Sequence, residues 1–341
     1  MSGGAVGGSL VAVEGGATQG GNASGGASQG GASNGGASNG GASSEKPPVP
    51  PEVSATWTWS ECGRIEGSSY VQADVYLRSI ASLGISGDGR LLVSNTGIAT
   101  AWQVADTFSE SRVLWARGRE GAFNTDVSAD GRWVTTSGDT RNLFDARDGT
   151  LLNLPSSDEN LPIASCFWSD FRFSPDSRYV AGKRYGTVVD VFDVTTLERI
   201  AELETKGCGQ GLVFGRERLF TPEGSFEISD WAASGLLSPS PATAGLDPEC
   251  AVYLVPSSTL RTSCCGGECQ TRVGELLITG GQHASLSREE HWLVSGRTLA
   301  HLPSMTTQTL PVPVTESIFA PNGDIITGDE NGNLVRFCRQ E

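Results

Sequence analysis

The chain has 341 residues, with 45 glycines, eight cysteines, three histidines and a formal net charge of −15. An acidic balance of this size argues against nucleic acid and anionic membrane surfaces as partners, since both are held through lysine and arginine. The length admits one large all-β domain or two domains of ordinary size.

Residues 1–51 read as a segment of their own. Sixteen of the glycines lie before residue 46, and from Gly15 to Ser44 the chain repeats the pentads GGATQ, GGNAS, GGASQ, GGASN, GGASN and GGASS. The pentads hold no aromatic residue and no charge, so they cannot bury enough apolar surface to offset chain entropy. A disordered, flexible tether is predicted. Lys46-Pro-Pro-Val-Pro-Pro51 then stiffens it into a short polyproline spacer. Gly31-Ala-Ser33-Asn-Gly35 has the spacing of a hydrolase nucleophile elbow. That chemistry needs a strand-to-helix turn and a nearby histidine, so the match is read as coincidence. Met1-Ser-Gly-Gly has no basic and apolar signal regions, and no run approaches the roughly 18 apolar residues of a membrane span. The Ser-Gly-Gly opening resembles the stretch after the lipidated cysteine of bacterial surface lipoproteins. That resemblance implies a lipid anchor from an upstream segment and an address in the cell envelope or outside the cell.

From residue 52 to 341 the chain repeats itself. An apolar run, a Gly/Asp turn and a second apolar run occur at Gly84–Val93, Asp126–Val134, Phe171–Val180 and Ile318–Ile326. Ser86, Ser128 and Ser174 mark the register, 42 and then 46 residues apart. Weaker copies fall at Phe214–Leu219, Leu286–Leu293 and Asp247–Leu254, making seven. Third strands are predicted at Thr100–Val104, Asn142–Asp145, Val188–Val194, Ser225–Asp230, Arg297–Leu302 and Leu334–Cys338. Fourth strands are predicted at Arg199–Leu203 and Thr309–Val312. Asp-Gly and Asn-Gly favour tight hairpins because both central positions need positive φ. Four short strands about every 40 residues is the pattern of a propeller blade.

The strands Val191-Phe-Asp-Val-Thr-Thr-Leu197 and Leu143-Phe-Asp-Ala-Arg-Asp-Gly-Thr150 carry an aromatic-Asp ending similar to that of WD40/YVTN-type β-propellers. Asp145-Ala-Arg-Asp-Gly-Thr-Leu151 also resembles a repeat of quinoprotein-like propellers, without that repeat's docking tryptophan. No Trp-Asp pair and no blade-opening Gly-His dipeptide occurs, so the polar tetrad of true WD40 blades cannot be built. The resemblance implies an all-β, seven-bladed β-propeller over residues 52–341. Its last unit ends at a third strand, so Ser54–Ser60, which alternates Trp57 and Trp59 with small polar residues, is predicted to supply the missing outer strand.

An even number of cysteines in an all-β domain suits an oxidising compartment. Cys62 and Cys338 flank the predicted closing pair and are expected to join. Cys166 and Cys208 occupy matching places in consecutive blades. Cys250, Cys264, Cys265 and Cys269 are left to pair among themselves. Cys264-Cys265-Gly-Gly-Glu-Cys269 is also a thiol cluster, but its C-x3-C spacing and its distance from His283 depart from zinc knuckles, so disulfides are favoured.

His283, His291 and His301 fall in one unit with no triad order around them. Asp329-Glu-Asn331-Gly-Asn333 mimics a calcium loop but lacks the glycine at its sixth position and a glutamate at its twelfth, so a hairpin turn is expected. Neither metal nor cofactor is expected, and no catalysis. Trp168 and Trp231 adjoin turns, and with Phe167, Arg172 and Arg184 they form the candidate binding surface, since exposed aromatics and arginines make binding hot spots. The expected function is a monomeric, non-catalytic scaffold that binds a protein or peptide. A quinoprotein-like or hydrolase-type propeller enzyme and a purely structural envelope component are the alternatives.

Overall fold

The computed structural model describes residues 59–67, 79–117, 122–138, 142–152, 154, 171–184, 188–205, 212–214, 217–221, 224–232, 236–237, 251–254, 261–265, 268–273, 276–279, 284–287 and 291–340. The chain separates into two units, Met1–Glu52 and Val53–Glu341, and the predicted tether lies outside the described residues. The described part is all-β. Apart from short 3-10 turns its regular elements are strands, grouped into seven sheets, most of them four-stranded and antiparallel.

Sheet I comprises Ser82–Ile85, Leu91–Asn95, Ala99–Gln103 and Arg112–Arg117. Sheet II comprises Ala122–Val127, Trp133–Gly138, Asn142–Asp145 and Leu151–Leu152. Sheet III comprises Phe171–Phe173, Tyr179–Arg184, Val188–Asp193 and Arg199–Glu204, with a fifth strand, Leu236–Leu237, added in parallel to its outer edge. Sheet IV has three strands, Val213–Phe214, Arg218–Thr221 and Gly224–Glu227. Sheet V runs from Ala251–Leu254 through Arg261–Cys265 and Glu268–Val273 to Leu276–Thr279. Sheet VI runs from Ala284–Leu286 through Trp292–Ser295 and Thr298–His301 to Thr306–Thr309. Sheet VII holds Glu316–Phe319, Ile325–Gly328 and Leu334–Arg339 and takes its outer strand, Trp59–Ile65, from the other end of the chain.

The repeated turn has a common chemistry. Ser86, Ser128 and Ser174 each donate from Oγ to Oδ1 of the aspartate two residues on, at 2.6 Å in all three. Each Oγ also accepts the amide five residues on, from Leu91, Trp133 and Tyr179 at 2.9–3.0 Å. The aspartate accepts a further amide, from Arg90, Arg132 or Arg178. The positive φ this turn requires falls on Gly89, Gly131 and Gly323, but on Ser177 in sheet III, at φ 61°. There the Ser177 hydroxyl receives the Asp130 amide of sheet II at 3.0 Å, a contact that glycine would lack.

The same register ties one sheet to the next. Two residues before the turn serine, Asp126 accepts the Phe173 amide of sheet III through Oδ2 at 2.9 Å. The matching Ser285 accepts the Phe319 amide of sheet VII at 3.1 Å. In sheet I the position is Gly84, where a Cβ would stand 3.0 Å from Val127 Cγ2. Apolar clusters lie between successive sheets. Leu92, Trp102 and Ile326 pack between VII and I, Val93, Trp115 and Phe144 between I and II, and Leu143, Phe173 and Val180 between II and III. Leu203, Leu219 and Trp231 pack between III and IV, Ile278 and Leu293 between V and VI, and Trp292, Phe319 and Val335 between VI and VII.

The N-terminal strand pairs antiparallel with Leu334–Arg339 from Trp59↔Arg339 to Ile65↔Leu334, with a bulge at Cys62. The described strand, Trp59–Ile65, includes Trp59 and Ser60 of the predicted Ser54–Ser60 and runs on to Ile65; residues 54–58 lie outside the described residues. Trp59 fixes the position by packing edge-on against Trp292 and Phe319, with centroids 6.3 and 6.1 Å away. Cys62 and Cys338 form a disulfide across the pair, with Cα atoms 5.7 Å apart. Two predicted strands move: Thr309–Val312 becomes Thr306–Thr309, and Ser225–Asp230 becomes Gly224–Glu227 followed by a 3-10 turn, Ile228–Ala232.

Replacing Cys62 and Cys338 together by serine is expected to lower unfolding stability by about 2–4 kcal/mol in urea melts, because the bridge closes a loop of 276 residues. Asp126→Ala leaves the Phe173 amide without that acceptor and is expected to cost about 1–3 kcal/mol in the same assay.

Candidate functional site

A cleft of about 680 Å³ lies between sheets VII and I. Ile85, Val104, Ala320 and Ile326 supply apolar lining, while Asp88, Arg90, Gln103, Asp106, Glu110 and Arg336 bring polar and charged groups to it. Local sequence explains each wall. The Asp88-Gly89-Arg90 turn and its counterpart Pro321-Asn322 approach so closely that a Cβ on Gly89 would lie 3.4 Å from Pro321 Cδ. The connection after Gln103 folds into a 3-10 turn, Phe108–Glu110, which buries the Phe108 ring and holds Glu110 outward.

Charge is fixed at two places. Arg336 donates to Asp324 Oδ2 from Nε at 2.7 Å and lies 2.6 Å from it through Nη2. Its Nη1 also donates to the Asp106 carbonyl at 3.3 Å, tying the Val104–Glu110 connection to sheet VII. Asp88 is held below the usual carboxylate range by the Ser86 hydroxyl hydrogen bond, with help from the Arg90 amide, so it stays anionic near neutrality. The arrangement offers fixed charges of both signs over an apolar lining. Its size lies within the roughly 300–1,000 Å³ of ordinary ligand pockets.

Of the predicted binding residues, only Arg172 and Trp231 have described side chains. Phe167 and Trp168 lie outside the described residues, as does the Arg184 side chain. Arg172 is half-buried on the first strand of sheet III and donates to the Thr125 carbonyl of sheet II at 3.4 Å. Trp231 does not reach a loop face. It is 3 % exposed and packs edge-on against Tyr179 and Phe214, at 5.2 and 5.9 Å, because the 3-10 turn after sheet IV folds it back between sheets III and IV. Arg172 thus faces one neighbouring sheet and Trp231 the other.

Of the remaining cysteines, Cys166, Cys208 and Cys250 lie outside the described residues. The backbones of Cys264 and Cys269 stand directly opposite in sheet V, with Cys265 opposite Glu268; the side chains lie outside the description. Asp329 accepts the amides of Asn331 and Asn333 at 2.8 and 2.9 Å and the Asn333 side-chain amide at 2.7 Å, which makes it the anchor of a hairpin turn.

The cleft was missed in sequence because its key pair is a departure from the repeat. Asp324 occupies the position held by Arg90, Arg132 and Arg178 in other copies, and Arg336 answers it from the next strand. An acid at an arginine position was the legible signal. No protein-family model matches the chain, and no curated protein is significantly similar to it in sequence.

His301 is buried against Trp292, with ring centroids 4.5 Å apart, and its Nδ1 lies 2.6 Å from Ser304 Oγ. Burial, and then the nearby His291 and Arg339 charges, push the imidazole below its ordinary value. The unfolded chain therefore takes up a proton first as pH falls, so stability declines below about pH 6.5. His301→Asn is expected to flatten this decline in urea melts recorded between pH 7 and pH 5.

Proposed function

We propose that the chain is a seven-bladed β-propeller of the cell envelope or extracellular space, acting as a non-catalytic docking platform for a protein or peptide. The cyclic order of packing supports the architecture: the first strand of sheet VII packs on that of sheet I, sheet I on II, II on III, and VI on VII. The borrowed outer strand of sheet VII supports closure of the ring, because it joins the two ends of the domain in one sheet. The Cys62–Cys338 disulfide supports an oxidising compartment, where such bonds form and persist.

The observation that carries the docking reading is the cleft between sheets VII and I, with Arg90, Asp88, Glu110 and the Arg336–Asp324 pair set around an apolar lining. In a ring of blades this cleft opens beside the repeated turns, where a partner's side chains would meet fixed charges of both signs. The Gly/Ser/Ala segment serves as a tether that lets the platform reach its partner. No step in this role needs a metal or cofactor.

The full chain, immobilised, is expected to retain a defined partner from envelope fractions, and an Arg90→Glu, Glu110→Lys double variant is expected to lose at least tenfold of it. Equal retention by both forms, or none by either, would refute the cleft as the docking site.

A further inference from the structure

The outer edge of sheet I is a second surface, and its chemistry differs from that of the cleft. The strand Arg112–Arg117 is paired on one side only: Ala99–Gln103 lies against it, and among the described residues no strand lies beyond it. A bulge at Leu114 breaks the alternation, so that Val113 and Leu114 are both exposed, at 41 % and 38 %. They are two of the four exposed large hydrophobics among the described residues, and a third, Leu151, lines with Arg117 a smaller cleft of about 410 Å³. Natural edges are usually blunted by charge, bulging or cover, since an open row of amides and carbonyls templates another strand.

The fold shows what a covered edge looks like. Sheet III's outer strand, Arg199–Glu204, is augmented in parallel by Leu236–Leu237, and of its own residues only Arg199 is exposed. Sheet VII's outer strand, Trp59–Ile65, is paired on one side only among the described residues, but the residues it exposes are Ser60, Glu61 and Cys62 and no large apolar side chain. Sheet I's edge, by contrast, leaves Arg112, Val113, Leu114 and Arg117 exposed.

From this geometry we infer that the Arg112–Arg117 edge takes an extended peptide by strand addition, and that the peptide is apolar in its centre and acidic at its ends. The strand carries an arginine at each end and no acid. The Arg112 Nε donates to Gln103 Oε1 at 2.7 Å, which holds that guanidinium at the edge. A second copy of the chain is the poorer occupant: antiparallel self-pairing sets Arg112 against Arg117, and like charges directly opposite are destabilising. The chain's net charge of −15 repels an acidic peptide only at long range, and physiological salt screens that repulsion beyond about 8 Å. Main-chain hydrogen bonds then hold the added strand while its alternate side chains meet Val113 and Leu114.

The test uses the full chain with a blocked peptide of alternating valine and threonine bearing a glutamate at each end. The expected result is binding by calorimetry, with slowed amide exchange in the peptide and along 112–117. The same peptide N-methylated at alternate amides, or carrying lysine at both ends, is expected to bind at least tenfold more weakly. An Arg112→Glu, Arg117→Glu double variant is expected to reverse the preference between glutamate and lysine ends. No binding by the glutamate peptide, binding that survives N-methylation, protection confined to residues outside 112–117, or edge burial by self-association of the chain would each overturn the inference. Because it leaves Arg90 and Glu110 untouched, failure here is distinct from failure of the cleft.

Discussion

A sheet of three or four short strands cannot cover its own two faces, and every other feature of this fold depends on that constraint. Each sheet exposes an apolar face on either side, and burial becomes favourable only when the next sheet covers it. The core is accordingly divided into clusters between neighbours, such as Val93–Trp115–Phe144 and Leu143–Phe173–Val180. Among the described residues no single centre holds the domain together. The side chains that join the sheets, Asp126 to the Phe173 amide and Ser285 to the Phe319 amide, sit at one position of the repeat. One unit thereby specifies both its own hairpin and its contact with the next.

A repeating array leaves two ends, and here they meet. Trp59–Ile65 completes the sheet begun by Glu316–Phe319, and Trp59 carries its ring into the cluster of Trp292 and Phe319. Cys62 then binds this strand covalently to Cys338. Beside that junction the Arg336–Asp324 pair anchors the Val104–Glu110 connection, so the cleft and the joining of the ends share one set of supports. The proposed docking site at the seam is well placed to be rigid, because side chains on several elements fix it at once.

Much of the architecture was legible in the sequence, and the reasons are local. The Ser-x-Asp spacing, followed by Gly in two copies and by Ser177 in the third, places a serine hydroxyl and an aspartate carboxylate where a positive-φ turn needs acceptors, so Ser86, Ser128 and Ser174 mark hairpins. Asn142–Asp145 is found at its predicted bounds. Some elements are set by distant partners and not by local chemistry. Trp59–Ile65 is positioned by aromatic partners more than 230 residues away, and Ile228–Ala232 curls because Trp231 finds cover on Tyr179 and Phe214. The cleft was the least legible part. An exposed aromatic and a buried one look alike in sequence, whereas the acid at position 324 could have been read as a departure from the arginine of the other copies. The open edge at Arg112–Arg117 could not, since it depends on the absence of a strand beyond it among the described residues and on a bulge that turns Leu114 outward.

Joining of the two ends of the domain in one sheet is the claim on which the proposed docking role rests. Peptide mapping of the full, unreduced chain tests it most directly. The expected result is one linked pair of peptides containing Cys62 and Cys338, separating on reduction. Both residues recovered as free thiols, or each joined to a different cysteine, would contradict it.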